Sequence, residues 1–181
     1  MNSLRSIVLI GMMGAGKSSV GRCLQRRTGL MRFDTDEIVA TRFGASISEV
    51  FAKEGEEQFR LAETEALANL APTQPSIIVT GGGIVLREEN IRHLKRLGIV
   101  VWLEADGATL FQRASRRSDR PLLQTEKPRE TLEEILNQRR SLYAKAADLR
   151  VDTTNRNHDE VADIILEEIE NRSAVQNEFT G

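Results

Sequence analysis

Residues Gly11-Met12-Met13-Gly14-Ala15-Gly16-Lys17-Ser18 form a complete G-x-x-x-x-G-K-[ST] phosphate loop, directly behind the apolar run Ile7-Val8-Leu9-Ile10. The chemistry served by this spacing is the binding of a nucleoside triphosphate. Glycines let successive backbone N–H groups turn inward on phosphate oxygens, and the helix expected behind the loop adds its positive end. Lys17 supplies a mobile charge for the β- and γ-phosphates, and the Ser18 hydroxyl is placed to ligate Mg²⁺. The loop names the phosphate donor and leaves the acceptor open.

Three further groups carry side chains suited to phosphoryl transfer. Asp34-Thr35-Asp36 closes a second apolar run. Two carboxylates at i and i+2 past a strand end allow a division of labour, one facing Mg²⁺ through water and the other accepting a proton from a substrate hydroxyl. The competing explanation is local: Thr35 or Asp36 caps the next helix, with Glu37 in its first turn. Further on, Ser46 or Ser48 with Glu49 marks a helix start, Gly55 separates two helical stretches, and Phe59, Arg60 and Glu63 fall one turn apart. Arg60 and Glu63 at i,i+3 also read as an exposed ion pair worth roughly a few tenths of a kcal/mol. Thr80-Gly81-Gly82-Gly83 closes a third run without the acid that many phosphate-loop proteins place there, and three glycines in a row favour close approach of backbone to a ligand.

The elements that must position these groups are legible as alternation. Five short apolar runs, at residues 7–10, 31–33, 77–80, 99–103 and 149–151, read as strands of a parallel sheet buried on both faces. Between them lie stretches of helical period at 17–28, 35–71 (broken near Gly44 and Gly55), 87–97, 106–116, 129–147 and 158–172. The pattern predicts one α/β domain over residues 1–172, a doubly wound sheet between two helical layers. Ligands of such a sheet sit at the carboxyl ends of the strands, where Gly11, Asp34 and Gly81 all fall. The arginine-rich stretch 115–129 holds two prolines and has no clear period, so it is the candidate lid. Residues 173–181 are polar and are expected to form a frayed tail.

Composition narrows the field. A chain of 181 residues, 40% hydrophobic and 29% charged, fits one globular domain. A net charge of −2 argues against a general binder of nucleic acid or of acidic membranes, and no apolar run is long enough to span a bilayer. The single cysteine, Cys23, forms no internal disulfide, reads as a small core residue and fits a reducing cytoplasm. Residues 5–15 superficially resemble a secretory signal, but cleavage there would remove the strand and the phosphate loop. His93 and His158 lack a ligand spacing for a metal. With no exposed apolar stripe in the pattern, a monomer is expected.

Taken in order, these motifs resemble those of the shikimate kinase family over about residues 7–172. They are the phosphate loop, Phe33-Asp34-Thr35-Asp36, the Phe51, Gly55-Glu56, Phe59-Arg60 and Glu63 helix, Gly81-Gly82-Gly83, Arg120-Pro121-Leu122-Leu123 and Arg139-Arg140-Ser141-Leu142-Tyr143. The resemblance implies strand order 2-3-1-4-5, a substrate-binding region over about 35–63 and a lid over about 115–129. It implies transfer of the γ-phosphate of ATP to the 3-hydroxyl of shikimate, on the route to chorismate and the aromatic amino acids, with Mg²⁺ as cofactor. In its terms Gly14, Ala15, Gly16, Lys17, Ser18, Ser19, Arg113, Arg120 and Arg156 would bind ATP, with Arg113 over the adenine and Arg120 reaching from the lid to the γ-phosphate. Ser18, and Asp34 through water, would serve the metal. Asp36 would bind ring hydroxyls and act as base or orienting acceptor; Arg60 and Arg139 would clamp the substrate carboxylate, and Gly82 would contact the ring. Ile47, Phe51, Phe59, Pro121 and Leu122 would form an apolar wall. Arg140 is the alternative to Arg139. His158 stands where related sequences often carry proline beside the adenine, its imidazole either stacking or pointing away. A sister small-molecule kinase of the gluconate kinase type is opposed by Arg60 with Arg139 and by the triple glycine. A non-catalytic nucleotide-binding relative is opposed by the retention of Asp36, Arg60 and Arg139. A signalling GTPase is opposed by the lack of an Asn-Lys-x-Asp motif.

Overall fold

The structure, a computed structural model, describes residues 5–116 and 121–178. Five parallel strands lie in the order β2-β3-β1-β4-β5, as expected. β1 (Ser6–Ile10) is central and pairs with β3 (Ser76–Val79) and β4 (Gly98–Glu104), while β2 (Met31–Asp34) and β5 (Leu149–Asp152) form the edges. The helices of the described residues are α1 (Lys17–Thr28), α2 (Thr35–Phe43), α3 (Ile47–Asn69), α4 (Glu88–Leu97), α5 (Gly107–Ala114), α6 (Pro128–Ala146) and α7 (His158–Glu178). α1 packs on α7 and α4 on α6, sandwiching the sheet in a three-layer arrangement.

Burial on both faces holds for β1 and β3 and nearly throughout β4, whose branched aliphatics fill the core. It does not hold at the edges. Met31 at the start of β2 is exposed, and along β5 Leu149 and Val151 are buried while Arg150 and Asp152 face out. An outer strand has one neighbour instead of two, so less of it is covered by the helical layers.

The register aligns the strand ends that matter. Leu9 lies opposite both Val79 and Val101, and Asp34 lies opposite Val79, so Gly11, Asp36 and Gly81 leave the sheet on one edge. Hydrogen bonds stitch that edge together: Thr80 Oγ1 donates to the Leu9 carbonyl (2.9 Å) and the Gly81 N–H to Thr35 Oγ1 (3.2 Å).

The expected helical stretch 35–71 breaks at both glycines. Gly44 (φ 61°) terminates α2, and Gly55 (φ 80°, ψ 168°) kinks α3, conformations that side chains with a Cβ rarely adopt. Ser46, not Ser48, caps α3 in a reciprocal capping box with Glu49. α2 and α3 share a small apolar cluster of Val39, Val50, Phe59 and Ala62, separate from the main core. α7 runs to Glu178, past the expected end at residue 172, because residues 173–178 contain neither glycine nor proline to stop it; residues 179–181 lie outside the described residues. Cys23 is buried on α1, as expected. Among the described residues no helix is long and apolar enough to cross a membrane.

Candidate active site

Two pockets open along the carboxyl edge of the sheet. The larger, about 320 Å³, is built around the phosphate loop. Gly16 (φ 91°) stands at the N-terminus of α1 with no side-chain cap, so the first N–H groups of the helix are left for a ligand. A Cβ on Gly14 (φ 83°) would collide with the Leu110 carbonyl of α5. Gly14, Gly16, Lys17, Ser18 and Ser19 line this cleft. Lys17 Nζ donates to the carbonyls of Gly11 (2.7 Å) and Met12 (3.1 Å). Arg113 is fixed at the rim by bonds to Thr153 Oγ1 (3.1 Å) and to the carbonyls of Thr153 (2.8 Å) and Thr154 (3.1 Å). Beside it, the His158 imidazole lies against Gly16 and lines the cleft, and burial followed by the Arg113 charge lowers its pKa below the ordinary histidine value. Of the sequence-derived ATP set, Ala15 and Arg156 do not line the cleft. Ala15 is buried and its carbonyl faces Thr153 Oγ1, while Arg156 Nη1 donates to the Asp152 carbonyl. Arg120 lies outside the described residues; Arg116, which the sequence reading did not single out, lines the cleft.

The smaller pocket, about 70 Å³, has an apolar wall and a charged end. Ile47, Phe51, Phe59 and Leu122 supply the wall; Pro121 belongs to a short 3-10 turn, and its side chain lies outside the described residues. Arg60, Glu63 and Arg139 supply the charge. Arg60 Nη1 pairs with Glu63 Oε2 (2.5 Å) and Nη2 with Glu56 Oε1 (3.0 Å), and its guanidinium lies 5.1 Å from the Phe59 ring centre and 5.6 Å from that of Phe51. The exposed-pair reading of Arg60 and Glu63 is thereby overturned: Glu63 is 0% and Arg60 8% exposed. Beyond the Gly55 kink, this turn of α3 faces the molecule. Burial pushes the Glu63 carboxyl up to about 7, against the opposing charge and hydrogen bond of Arg60. Burial alone would lower the Arg60 pKa, but Glu63 and Glu56 hold it above the ordinary value.

Arg139, not Arg140, reaches the pocket. Arg139 is buried and its Nη1 donates to the Gly82 carbonyl (3.1 Å), whereas Arg140 is half exposed and pairs with Glu104 at 3.7 Å. Tyr143, one turn on, donates to the same Gly82 carbonyl (2.5 Å); burial pushes its phenol up to about 12, so it stays a donor. The three glycines have distinct uses. A Cβ on Gly83 would collide with the Arg60 guanidinium, and one on Gly81 with Glu63 Oε1 and with Asp36 Oδ1, while Gly82 packs on the phosphate-loop backbone. Room for buried charged side chains, more than a turn, is what excludes side chains at Gly81 and Gly83.

Met13, Asp36, Gly81 and Gly82 line both pockets, so Asp36 stands at their junction. The cap of α2 is neither Thr35 nor Asp36 but Asp34, whose Oδ1 accepts from the Asp36 N–H (3.1 Å) and whose Oδ2 accepts from Arg32 (3.2 Å). Capping by Asp34 turns the Asp36 side chain toward the pockets. Burial, then the nearby Asp36 charge, raises the Asp34 pKa. Among the described residues no three of His, Cys, Asp and Glu converge as a metal site. A hydroxyl at Ser18, which lines the cleft, and a carboxylate at Asp34, which is buried and does not line it, suit a hard cation that keeps most of its waters, arrives on nucleotide phosphates and meets Asp34 only through water. Each Asp34 oxygen keeps a lone pair for such a water.

Comparison with known proteins bears on the same residues. The family model described as shikimate kinase matches residues 13–170. The chain belongs to the shikimate kinase family. It is 42% identical over 170 residues to the shikimate kinase of Thermodesulfovibrio yellowstonii, covering 94% of this chain and 98% of that one. It is 43% identical over 171 residues to that of Actinobacillus pleuropneumoniae, covering 94% and 99%. A solved shikimate kinase from Acinetobacter baumannii, in complex with shikimate, superposes with a TM-score of 0.90 at 37% identity, over 93% of this chain and 94% of that one. A gluconokinase from Sinorhizobium meliloti shares the fold, at a TM-score of 0.62 and 18% identity.

Proposed function

We propose that the chain transfers the γ-phosphoryl group of ATP to the 3-hydroxyl of shikimate, giving shikimate 3-phosphate and ADP. The observation that carries this reading is the meeting of a phosphate-loop cleft and a small pocket at Asp36, with two buried guanidiniums, Arg60 and Arg139, lining that pocket. A planar carboxylate matches guanidinium forks, and ring hydroxyls match a carboxylate acceptor.

The phosphate loop and Lys17 hold the ATP phosphates, and Arg113 with His158 borders the base. Arg60 and Arg139 fix the shikimate carboxylate, so the ring lies on the wall of Ile47, Phe51, Phe59 and Leu122 with its 3-hydroxyl toward Asp36. The hydroxyl oxygen forms the new bond to the γ-phosphorus as the bond to the β,γ-bridging oxygen breaks. Asp36 accepts the hydroxyl proton or orients it, and Lys17 and Arg120 offset charge on the transferring group. Ser18, and Asp34 through water, would hold Mg²⁺, which would supply charge neutralisation at the phosphates. Residues 115–129 serve as the lid: Arg116 stands on the donor cleft and Leu122 on the acceptor pocket, so their closure would exclude water from both. The protein acts as a monomer of one domain, in the cytoplasm.

A coupled ADP-release assay with ATP and Mg²⁺ tests the reading, comparing shikimate with gluconate and nucleoside monophosphates. Turnover with shikimate is expected. Turnover with one of the other acceptors only would overturn it.

A further inference from the structure

Four charged side chains converge on the acceptor pocket: Asp36 from α2, Arg60 and Glu63 from α3, and Arg139 from α6. Glu56 approaches Arg60 from its exposed side, and the Tyr143 hydroxyl, which also feels this cluster, stays protonated on the Gly82 carbonyl. With both acids ionised the four groups sum to zero. A carboxylated ligand brings one more negative charge into a pocket of about 70 Å³ walled by Ile47, Phe51, Phe59 and Leu122. Arginine cannot relieve that excess by titrating, and Asp36 stands at the donor junction. Glu63 is the remaining group, and its geometry suits a proton. It is fully buried, Oε2 accepts from Arg60, and Oε1 has no hydrogen-bond partner although it lies against Gly81 beside Asp36 Oδ1. A carboxylate oxygen buried without a donor is costly, whereas a carboxylic acid there would itself donate.

Building on the shikimate-binding reading, we propose that Glu63 takes up a proton from solvent onto Oε1 when the acceptor binds. Glu63 is in this sense a positioning residue that keeps Arg60 in place while the guanidinium turns its remaining donors to the incoming carboxylate. No bond to the substrate is made by Glu63, and the proton returns to solvent when the product leaves. The carboxyl, already pushed up to about 7 by burial, is poised to change state near neutral pH.

The test is titration calorimetry of shikimate into the nucleotide-free full chain, in phosphate and in Tris at pH 7, with a pH series. In the wild type the buffer dependence of the heat should report uptake of about half a proton at pH 7, and Kd should rise roughly fivefold from pH 7 to pH 8. Glu63→Gln, which mimics the protonated state, should bind shikimate with no proton uptake and a flat Kd over that range. A wild-type heat independent of buffer, or equal uptake by Glu63→Gln, overturns the inference. Should Glu63→Gln not fold, the wild-type series decides alone: an unchanged Kd from pH 7 to pH 8 overturns the inference and a fivefold rise supports it. A wild type that binds no shikimate sinks the parent reading instead, so the two failures are distinguishable.

Discussion

The donor cleft and the acceptor pocket hold their cations in opposite ways. In the donor cleft Lys17 rests on two backbone carbonyls of its own loop, and phosphate oxygens can take it over at little cost. In the acceptor pocket Arg60 is locked into a buried pair with Glu63 and stacked near two phenylalanine rings. The cleft is roomier and is built around one loop and the first turn of α1; the pocket is smaller, and its charged side chains come from three helices, α2, α3 and α6. The difference teaches where specificity is stored. A triphosphate is recognised by local geometry that many chains share, whereas the acceptor is recognised by charges whose placement depends on tertiary packing.

The contrast predicts separable losses. Lys17→Ala should lower kcat by about a thousandfold, the scale of losing a transition-state charge partner, while shikimate Kd in calorimetry stays within about twofold. A comparable loss of shikimate affinity would show that the two halves are not independent. Arg60→Ala should weaken shikimate binding by about a hundredfold with ATP affinity retained. Because it leaves Glu63 buried without its ion-pair partner, it should also cost about 3 kcal/mol of stability in denaturant titration. Adding Glu63→Gln should restore part of that stability but little of the shikimate affinity.

Gly83→Ala probes the same pocket by volume instead of charge. The new methyl must displace the Arg60 guanidinium, so the shikimate KM should rise about tenfold, with the ATP KM unchanged. Equal changes in both constants in steady-state assays would mean that the glycine run serves the phosphate loop instead.

How far the sequence alone reached follows the same division. The phosphate loop is a continuous motif, and the strand runs and their order followed from apolar alternation and the family resemblance. The acceptor site was harder, because Arg60 and Arg139 meet only through packing of α3 against the rest of the molecule. Glu63 was left out of the sequence-derived site. Its spacing from Arg60 was visible, but Gly55 (φ 80°) resets the helical phase, so periodicity across α3 does not say which face is buried. Asp34 as the cap of α2 was missed for a related reason: three candidate capping residues stand in a row, and only the backbone at Asp34 (φ −127°, ψ 118°) is extended as a cap requires.

The smallest expected effect lies in the donor cleft, where the structure departs from a backbone-only site. His158 lies against Gly16 next to Arg113, and burial with that positive neighbour holds its pKa below the ordinary histidine value. Bound phosphates are anionic and raise its pKa, so nucleotide binding should favour the protonated imidazole, and ATP affinity should improve as pH falls from 8 to 6. Arg113, Arg22 and Asp159 surround the ring, and only Asp159 opposes the lowering, so the shift depends on the ligand's own charge. His158→Pro should weaken ATP binding by about two- to threefold at pH 6 and less at pH 8, measured by fluorescence titration of both proteins in parallel so that titration of the nucleotide itself cancels. A variant whose pH profile overlays the wild type would return the donor cleft to backbone recognition alone. A difference confined to low pH would instead give it a titrating side chain, as Glu63 gives the acceptor pocket.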